Sequence, residues 1–397
     1  MRRTVSGQRP ADLVFNVSED SVLARSTAVA RLRRYLASLL AEGFPPSLSL
    51  AVVRPEGVVL EAFGGHACLV GETVATTLAT SYDLASLTKV VCTTTLALMA
   101  RERGALALED PVVRWLPGYP QPRTTLKHLL THTAGLVDHV PFYATATGRA
   151  DIEAALYAEA SVPDAEAAVP VPGPAVPGPA VPDGEAAVPV PGPAVCYSDL
   201  GFMLLGWALE ACLGQRLDKA FALEVAAPLG LHRTQFRPPP AERRRTAATE
   251  LDGDQRLGRG LVWGEVHDGN AFALGGVAGH AGLFAPLDEL VLFVQALLDP
   301  RPGRLLSAES ITLMSTRQAA GIGDVRGIGW RLEPEDWGSW PEGTIWHTGF
   351  TGTSLLVAPG QETAVVFLTN GVHPHRRLDD QAAVRAEVHR LVAEALL

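Results

Sequence analysis

Residues 86–104 read Ser86-Leu87-Thr88-Lys89-Val90-Val91-Cys92-Thr93-Thr94-Thr95-Leu96-Ala97-Leu98-Met99-Ala100-Arg101-Glu102-Arg103-Gly104. The run is apolar almost all round. It is expected to form a buried central helix from about Ser86 to Arg103, stopped by Gly104. It also holds Lys89, one of three lysines among 33 lysines and arginines. A buried lysine can lose its proton, whereas arginine effectively cannot. Ser86 and Lys89 lie three residues apart, so on a helix they face the same way. The helix start would aim N–H groups and partial positive charge at Ser86, favouring an alkoxide. An apolar lobe around Lys89 is expected to lower its pKa toward that of a usable base. Taken alone, the same residues also fit a capping serine and a lysine that reaches solvent.

Working outward, residues 24–42 show helical apolar spacing, with Gly43 as the stop. Residues 47–63 hold two strand-like runs around Pro55-Glu56-Gly57, a hairpin signal. Helices are expected at about 199–213, closed by Gly214, and at 287–299 after Pro286. Near the end, 343–349, 353–358 and 363–369 read as an antiparallel meander, and 378–396 as a last amphipathic helix. The expected fold class is therefore α/β (α+β). One antiparallel sheet flanked by helices would come from both chain ends (about 24–85 and 300–397), and an all-helical lobe from 86–299. A cleft between the lobes is the natural place for a site. EAAVPVPGPAVP at 166–177 recurs as EAAVPVPGPAV at 185–195, and ten of the 30 prolines fall between Pro163 and Pro193. Residues 161–190 are thus expected to be a polyproline-like inserted loop.

Composition excludes several classes. The chain is 47% hydrophobic and 19% charged, which supports a sizeable core. The net charge is −10 and Arg243-Arg244-Arg245 is a short, isolated run, so no nucleic-acid partner is expected. Cys68, Cys92, Cys196 and Cys212 form no C-x-x-C pair and no evident disulfide framework. No segment offers about 18 uninterrupted apolar residues, so no membrane span is expected. The first twenty residues carry no secretory pattern as written, which suggests a cytoplasmic protein.

Two further elements could join Ser86 and Lys89. Tyr197-Ser198-Asp199 precedes an apolar helix. A tyrosine oxygen near a lysine can pass the serine proton to a leaving group. Asp199 also fits a helix N-cap, and Tyr197 a wall residue. His347-Thr348-Gly349 lies on an expected strand, followed by Phe350. A strand edge can hold extended substrate, and Gly349 would let that backbone come close. Backbone N–H groups of Ser86 and Phe350 could then form an oxyanion hole. His267, Asp268 and His280 lack a compact metal-ligand spacing and are expected in structural hydrogen bonds. His132 is expected to fix a loop. Neither a metal nor a cofactor is called for.

Ser-x-x-Lys, then Tyr-Ser-Asp, then His-Thr-Gly, in this order, resembles the penicillin-recognising serine hydrolases. The likeness is to the branch of class C β-lactamases, D-alanyl-D-alanine carboxypeptidases and related esterases. Asp83-Leu84-Ala85, Leu129-Leu130-Thr131-His132-Thr133-Ala134-Gly135-Leu136, Pro191-Gly192 and Gly327-Ile328-Gly329-Trp330 agree with that branch. The resemblance implies a sheet domain plus a helical lobe. Ser86 would be the acylated nucleophile, and Lys89 and Tyr197 would share proton transfer. His347 and Thr348 would meet a substrate carboxylate, with Asp199, Gly349 and Phe350 also on the substrate. Asp199 stands where many members have Asn; a carboxylate there repels a substrate carbonyl unless protonated or paired. His347 stands where β-lactamases usually have Lys, which would make carboxylate binding pH-dependent near neutrality. The expected activity is acyl-enzyme hydrolysis of a peptide, ester or amide, with weak β-lactam turnover. The alternative is a penicillin-binding sensor or inactive binding homologue that acylates without turnover. Either way the partner is a small molecule or short peptide.

Overall fold

The computed structural model describes residues 12–18, 26–161, 194–253, 257–301, 303–321 and 324–396. From Val162 through Pro193, including Pro191-Gly192, the expected proline-rich loop lies outside the described residues.

The strands, in chain order, are β1 (Val14–Val17), β2 (Ser47–Arg54), β3 (Gly57–Cys68), β4 (Val74–Ala75), β5 (Ser81–Asp83), β6 (Gln235–Phe236), β7 (Leu283–Pro286), β8 (Ala319–Gly321), β9 (Asp324–Arg326), β10 (Arg331–Leu332), β11 (Ile345–Thr348), β12 (Ser354–Ala358) and β13 (Thr363–Thr369). The large antiparallel sheet runs β1-β3-β2-β13-β12-β11-β10-β9-β8, with β4 paired to β3. Its centre joins the two chain ends: β2 pairs with β13 in the register Ala51 to Val366.

Period-two alternation explains how both faces of this sheet are covered. Ala51, Val53, Leu355, Val357, Val366 and Leu368 face the larger core, with Leu290, Phe293 and Leu297 of the helix Leu287–Leu298. Leu48, Leu50, Val52, Leu356, Val365 and Phe367 face the other core. There they meet Leu32, Leu36 and Leu39 of the helix Thr27–Glu42, and Val388 and Leu391 of the helix Leu378–Leu396. Ser26 caps the first of these helices, accepting from the Ala28 N–H, and Gly43 ends it in the left-handed region at φ 75°. Among the described residues no helix is long and apolar enough to cross a membrane.

A second sheet, β5-β7-β6, supports the site. β5 leads directly into Ser86. The continuous α-helix expected from Ser86 begins instead with i→i−3 turns, passes through a π-helical turn (Lys89–Thr94), and becomes α-helical at Thr95–Glu102. Cys92 is buried in that π turn and simply packs.

The helix Asp199–Leu213 crosses the segment at Gly279 with almost no space between them. A Cβ on Gly279 would lie 2.1 Å from the Phe202 carbonyl oxygen and 2.9 Å from Gly206 Cα. The Gly279 carbonyl accepts from Thr93 Oγ1 at 2.6 Å, so 279–280 is wedged between two helices. Gly279→Ala is expected to destabilise the protein by about 1–3 kcal/mol through overpacking. An unchanged melting temperature would show that this crossing is loose.

Candidate active site

Ser86 sits on a turn held from several sides. Ala85, just before it, adopts φ 46°, a left-handed conformation that a non-glycine residue adopts only when its surroundings enforce it. Asp83 supplies part of that enforcement. Its Oδ1 accepts from the Ala85 N–H at 2.8 Å, and its Oδ2 from the His267 N–H at 2.6 Å. Thr351 Oγ1 donates to the Asp83 carbonyl at 2.7 Å, and Thr353 Oγ1 to the Leu84 carbonyl at 3.2 Å. Burial pushes the Asp83 carboxyl up from its usual range, against these hydrogen bonds. The N–H groups of Leu87, Thr88 and Lys89 bond back to Leu84, Ala85 and Ser86. They are therefore not the free helix-start donors expected from the sequence.

Lys89 is completely enclosed. Its Nζ donates to Ser86 Oγ at 2.8 Å, to Asp199 Oδ1 at 2.7 Å and to the His280 carbonyl at 3.2 Å. The Tyr197 ring centroid lies 5.0 Å away. The enclosure matches the sequence expectation, but the direction of the pKa shift does not. Burial pulls the Lys89 pKa down; the Asp199 charge and Tyr197 outweigh it, and the pKa is raised. Asp199 is shifted the opposite way. Burial favours its neutral form, but Lys89 and then His139 hold its pKa below the carboxylate range.

Ser198, not Asp199, caps the helix: its Oγ accepts from the Gly201 N–H and donates to the Val137 carbonyl. The Asp199 N–H donates to the Asp138 carbonyl at 2.8 Å, tying the loop 137–139 to the helix start. His132 does fix this corner, as expected. Its Nδ1 accepts from the Ser198 N–H at 3.0 Å, and its carbonyl accepts from the Cys196 N–H. His139, which the sequence reading passed over, places Nδ1 3.6 Å from Asp199 Oδ2.

A cavity of about 380 Å³ opens over Ser86. Tyr197, Asp199 and Phe350 line it, with His139, His267 and His280. Phe350 stacks on His267 at 5.5 Å, and Arg376 lies over its ring at 5.2 Å. His267 Nε2 donates to Glu250 at 3.0 Å, and His280 Nε2 to Asp268 at 2.8 Å, the structural role expected for both. Arg376 also binds Glu250, at 2.7 Å. One ligand-type atom from each of His139, Asp199 and Asp268 lies within 4.8 Å of the other two. Lys89 on Asp199 and His280 on Asp268 already set positive or donor groups against these carboxylates.

The β11 residues sit differently from the sequence expectation. His347 is buried, and Lys89, His347, Thr348 and Gly349 are not among the residues lining the cavity. Burial, then Arg326 and Lys89, push the His347 pKa well below its ordinary value. It is therefore neutral at neutral pH and does not titrate there as expected. Gly349 does allow a close approach, but to the Leu84 carbonyl, which lies 2.4 Å from where a Cβ would stand. Asp83, His139, Glu250 and Arg376 are the site residues the sequence reading assigned no role. Of these only Asp83, within a motif, left a signal.

A serine-bearing turn against a buried lysine, between an antiparallel sheet and helices, defines the β-lactamase-type serine hydrolase architecture. The chain belongs to the Beta-lactamase family, whose family model matches residues 32–390. It is 28% identical over 378 residues to an Escherichia coli (strain K12) protein named "Putative D-alanyl-D-alanine carboxypeptidase", covering 86% of this chain and 82% of that one. Two solved structures share its fold. Simvastatin synthase from Aspergillus terreus matches with TM-score 0.68 at 18% identity, covering 93% of this chain and 99% of that one. EstCE1, a hydrolase with promiscuous acyltransferase activity, matches with TM-score 0.68 at 22% identity, covering 94% and 98%. The protein is a serine hydrolase of this family.

The ion pair makes a signed prediction. Asp199→Asn leaves Lys89 buried without a counter-charge, a loss of about 3–5 kcal/mol while it stays protonated. Raised Lys89 and depressed Asp199 pKa values stabilise the fold between the carboxylate and lysine titrations. The pair's contribution is lost as pH rises through the Lys89 value or falls through the Asp199 value. In the variant, the lone Lys89 sheds its proton at lower pH. The stability gap to the parent protein is therefore expected to narrow between pH 6 and pH 9.5 in urea unfolding. A gap independent of pH would contradict the assignment.

Proposed function

We propose that the protein hydrolyses small carboxylic esters or amides through an acyl-enzyme on Ser86. The observation that carries this reading is the enclosed Lys89 ammonium 2.8 Å from Ser86 Oγ, at the wall of the 380 Å³ cavity. Ser86 Oγ attacks the substrate carbonyl carbon, its proton passes to the Tyr197 hydroxyl oxygen as Tyr197 hands its own proton to the departing group, and Lys89 stays charged throughout this step. The N–H groups of Ser86 and Phe350, with the Lys89 charge, meet the developing oxyanion. Water then attacks the acyl carbon and frees Ser86. The two lobes read from sequence (24–85 with 300–397, and 86–299) are the walls between which substrate enters.

Charge supports neutral or cationic substrates over anionic ones. Asp138, Asp199, Glu250, Asp252 and Asp268 line the cavity against Arg259 and Arg376. Arg376 is held by Glu250, Arg259 donates to the Val266 and His267 carbonyls, and His347 is neutral and buried. The E. coli relative is named for peptides that end in a carboxylate. The cation such an end would need is engaged elsewhere in this cavity. Thr348, Gly349 and His347 therefore shape the site, while Asp199 and Phe350 are the members of the set that line the cavity.

A neutral chromogenic ester is expected to give continuous turnover, faster in kcat/KM than an anionic D-alanyl-D-alanine peptide or a penicillin. Ser86→Ala and Lys89→Arg are each expected to lose about a thousandfold or more. Retained activity in Lys89→Arg would remove Lys89 from the chemistry. A single burst with no continuing rate would favour the acylating sensor, and a preference for the anionic peptide would overturn the substrate class.

A further inference from the structure

We propose that His139 is a further catalytic residue, the general base that takes a proton from the water that breaks down the Ser86 acyl-enzyme. The inference rests on the Ser86 reading above and adds the group responsible for its second half.

Lys89 is enclosed, and its bonds to Ser86 Oγ, Asp199 Oδ1 and the His280 carbonyl account for the three donors of an ammonium. A protonated amine so placed can give a proton to Ser86 but cannot take one from incoming water. In this scheme water enters from the open side of the cavity, Tyr197 is the proton carrier for Ser86, and the base stands among the remaining side chains on that side. Three histidines line the cavity among the described residues. The His280 side chain is 1% exposed and committed to Asp268, and the His267 side chain is 10% exposed and committed to Glu250. The His139 side chain is 39% exposed.

One edge of the His139 ring is turned to a carboxylate. Its Nδ1 faces Asp199 Oδ2 at 3.6 Å, leaving Nε2 as the nitrogen on the other edge of the ring. Its own N–H donates to Asp138 Oδ1 at 2.7 Å, and the Asp138 carbonyl accepts from the Asp199 N–H. The histidine and its carboxylate are thus fixed to one corner of the fold. Asp199 holds Lys89 through Oδ1 and faces His139 through Oδ2, so one carboxylate serves the acylating and the hydrolysing groups.

The step balances. A water O–H bond breaks, its proton goes to His139, and its oxygen bonds to the acyl carbon. Collapse of the tetrahedral adduct breaks the bond from carbon to Ser86 Oγ, which takes a proton from the Lys89–Tyr197 pair. His139 releases its proton to solvent, and the pair regains one. The charged groups facing His139 are Asp138 on its own loop, Asp199 on the helix and Asp268 on the far wall. Pairing with Asp199, against burial, raises the His139 pKa, so the acid limb of deacylation lies above the ordinary histidine range.

The test compares the parent protein with His139→Ala and His139→Gln on an activated neutral ester, by rapid-quench intact mass and steady-state turnover. Acylation of Ser86 is expected within about threefold of the parent rate. Turnover should fall about a hundredfold or more, with the acyl adduct accumulating. Imidazole in the buffer should partly restore His139→Ala, and the acid limb should vanish in His139→Gln. The glutamine can still bond Asp199, so it separates proton transfer from positioning. Unchanged turnover in either variant, or acylation and turnover falling together without adduct, would overturn the proposal. No adduct on the parent Ser86 would refute the acyl-enzyme reading, and this inference with it.

Discussion

The site is organised around one enclosed positive charge. Lys89 has no contact with solvent, and burying an unpaired ammonium is prohibitively unfavourable. Its three partners come from three parts of the chain: Ser86 on its own turn, Asp199 at a helix start and the His280 carbonyl on the wedged loop. Each must be in place for the charge to be tolerated. Any motion that separates the helix Asp199–Leu213 from the turn at Ser86 exposes the same penalty. A buried ion pair adds little net stability relative to a well-packed apolar core, but breaking it is costly. That asymmetry makes it suited to fixing geometry.

The second constraint acts on the backbone before Ser86. Ala85 at φ 46° is uphill on its own, by roughly 1–3 kcal/mol. Asp83, Thr351 and Thr353 bind the stretch 83–85 from both sides, and Gly349 lets the Leu84 carbonyl approach where any side chain would collide. The His-Thr-Gly stretch and the residues after it therefore act first on the turn that carries Ser86. The C-terminal strands hold Ser86 in place, which ties the sheet built from both chain ends to the candidate site.

Much of the architecture was legible in the sequence because it rests on local periodicity and punctuation. Gly43 and Gly214 end helices where expected, both in the left-handed region. The hairpin 47–68 and the meander 345–369 follow from alternating apolar runs. Strands of two to four residues, such as β6, β8 and β10, were not legible, because so short a run carries no period. The second sheet was missed for that reason, although it delivers Ser86. At the site, Ser86, Lys89 and Tyr197 are brought together much as the motifs implied. The Lys89 pKa direction was not legible, because it depends on a carboxylate 110 residues away. His139 and Glu250 carry no motif, and only the fold brings them to the cavity.

An acidic residue at position 199 changes what this scaffold can do. An amide there could donate to substrate; a carboxylate must be answered by cations, and Lys89 is the nearest. In the proposed reaction, a charged Lys89 is an electrostatic anchor for the oxyanion and a proton donor at the collapse step. It is then a poor acceptor of protons from water. The proposal gives the acceptor role to a group that keeps an open edge toward solvent. The geometry of Asp199 follows that division, one oxygen on the enclosed amine and the other toward the exposed imidazole. The substitution that weakens the case for an efficient β-lactamase is therefore the one that supplies a carboxylate–histidine pair at the cavity mouth.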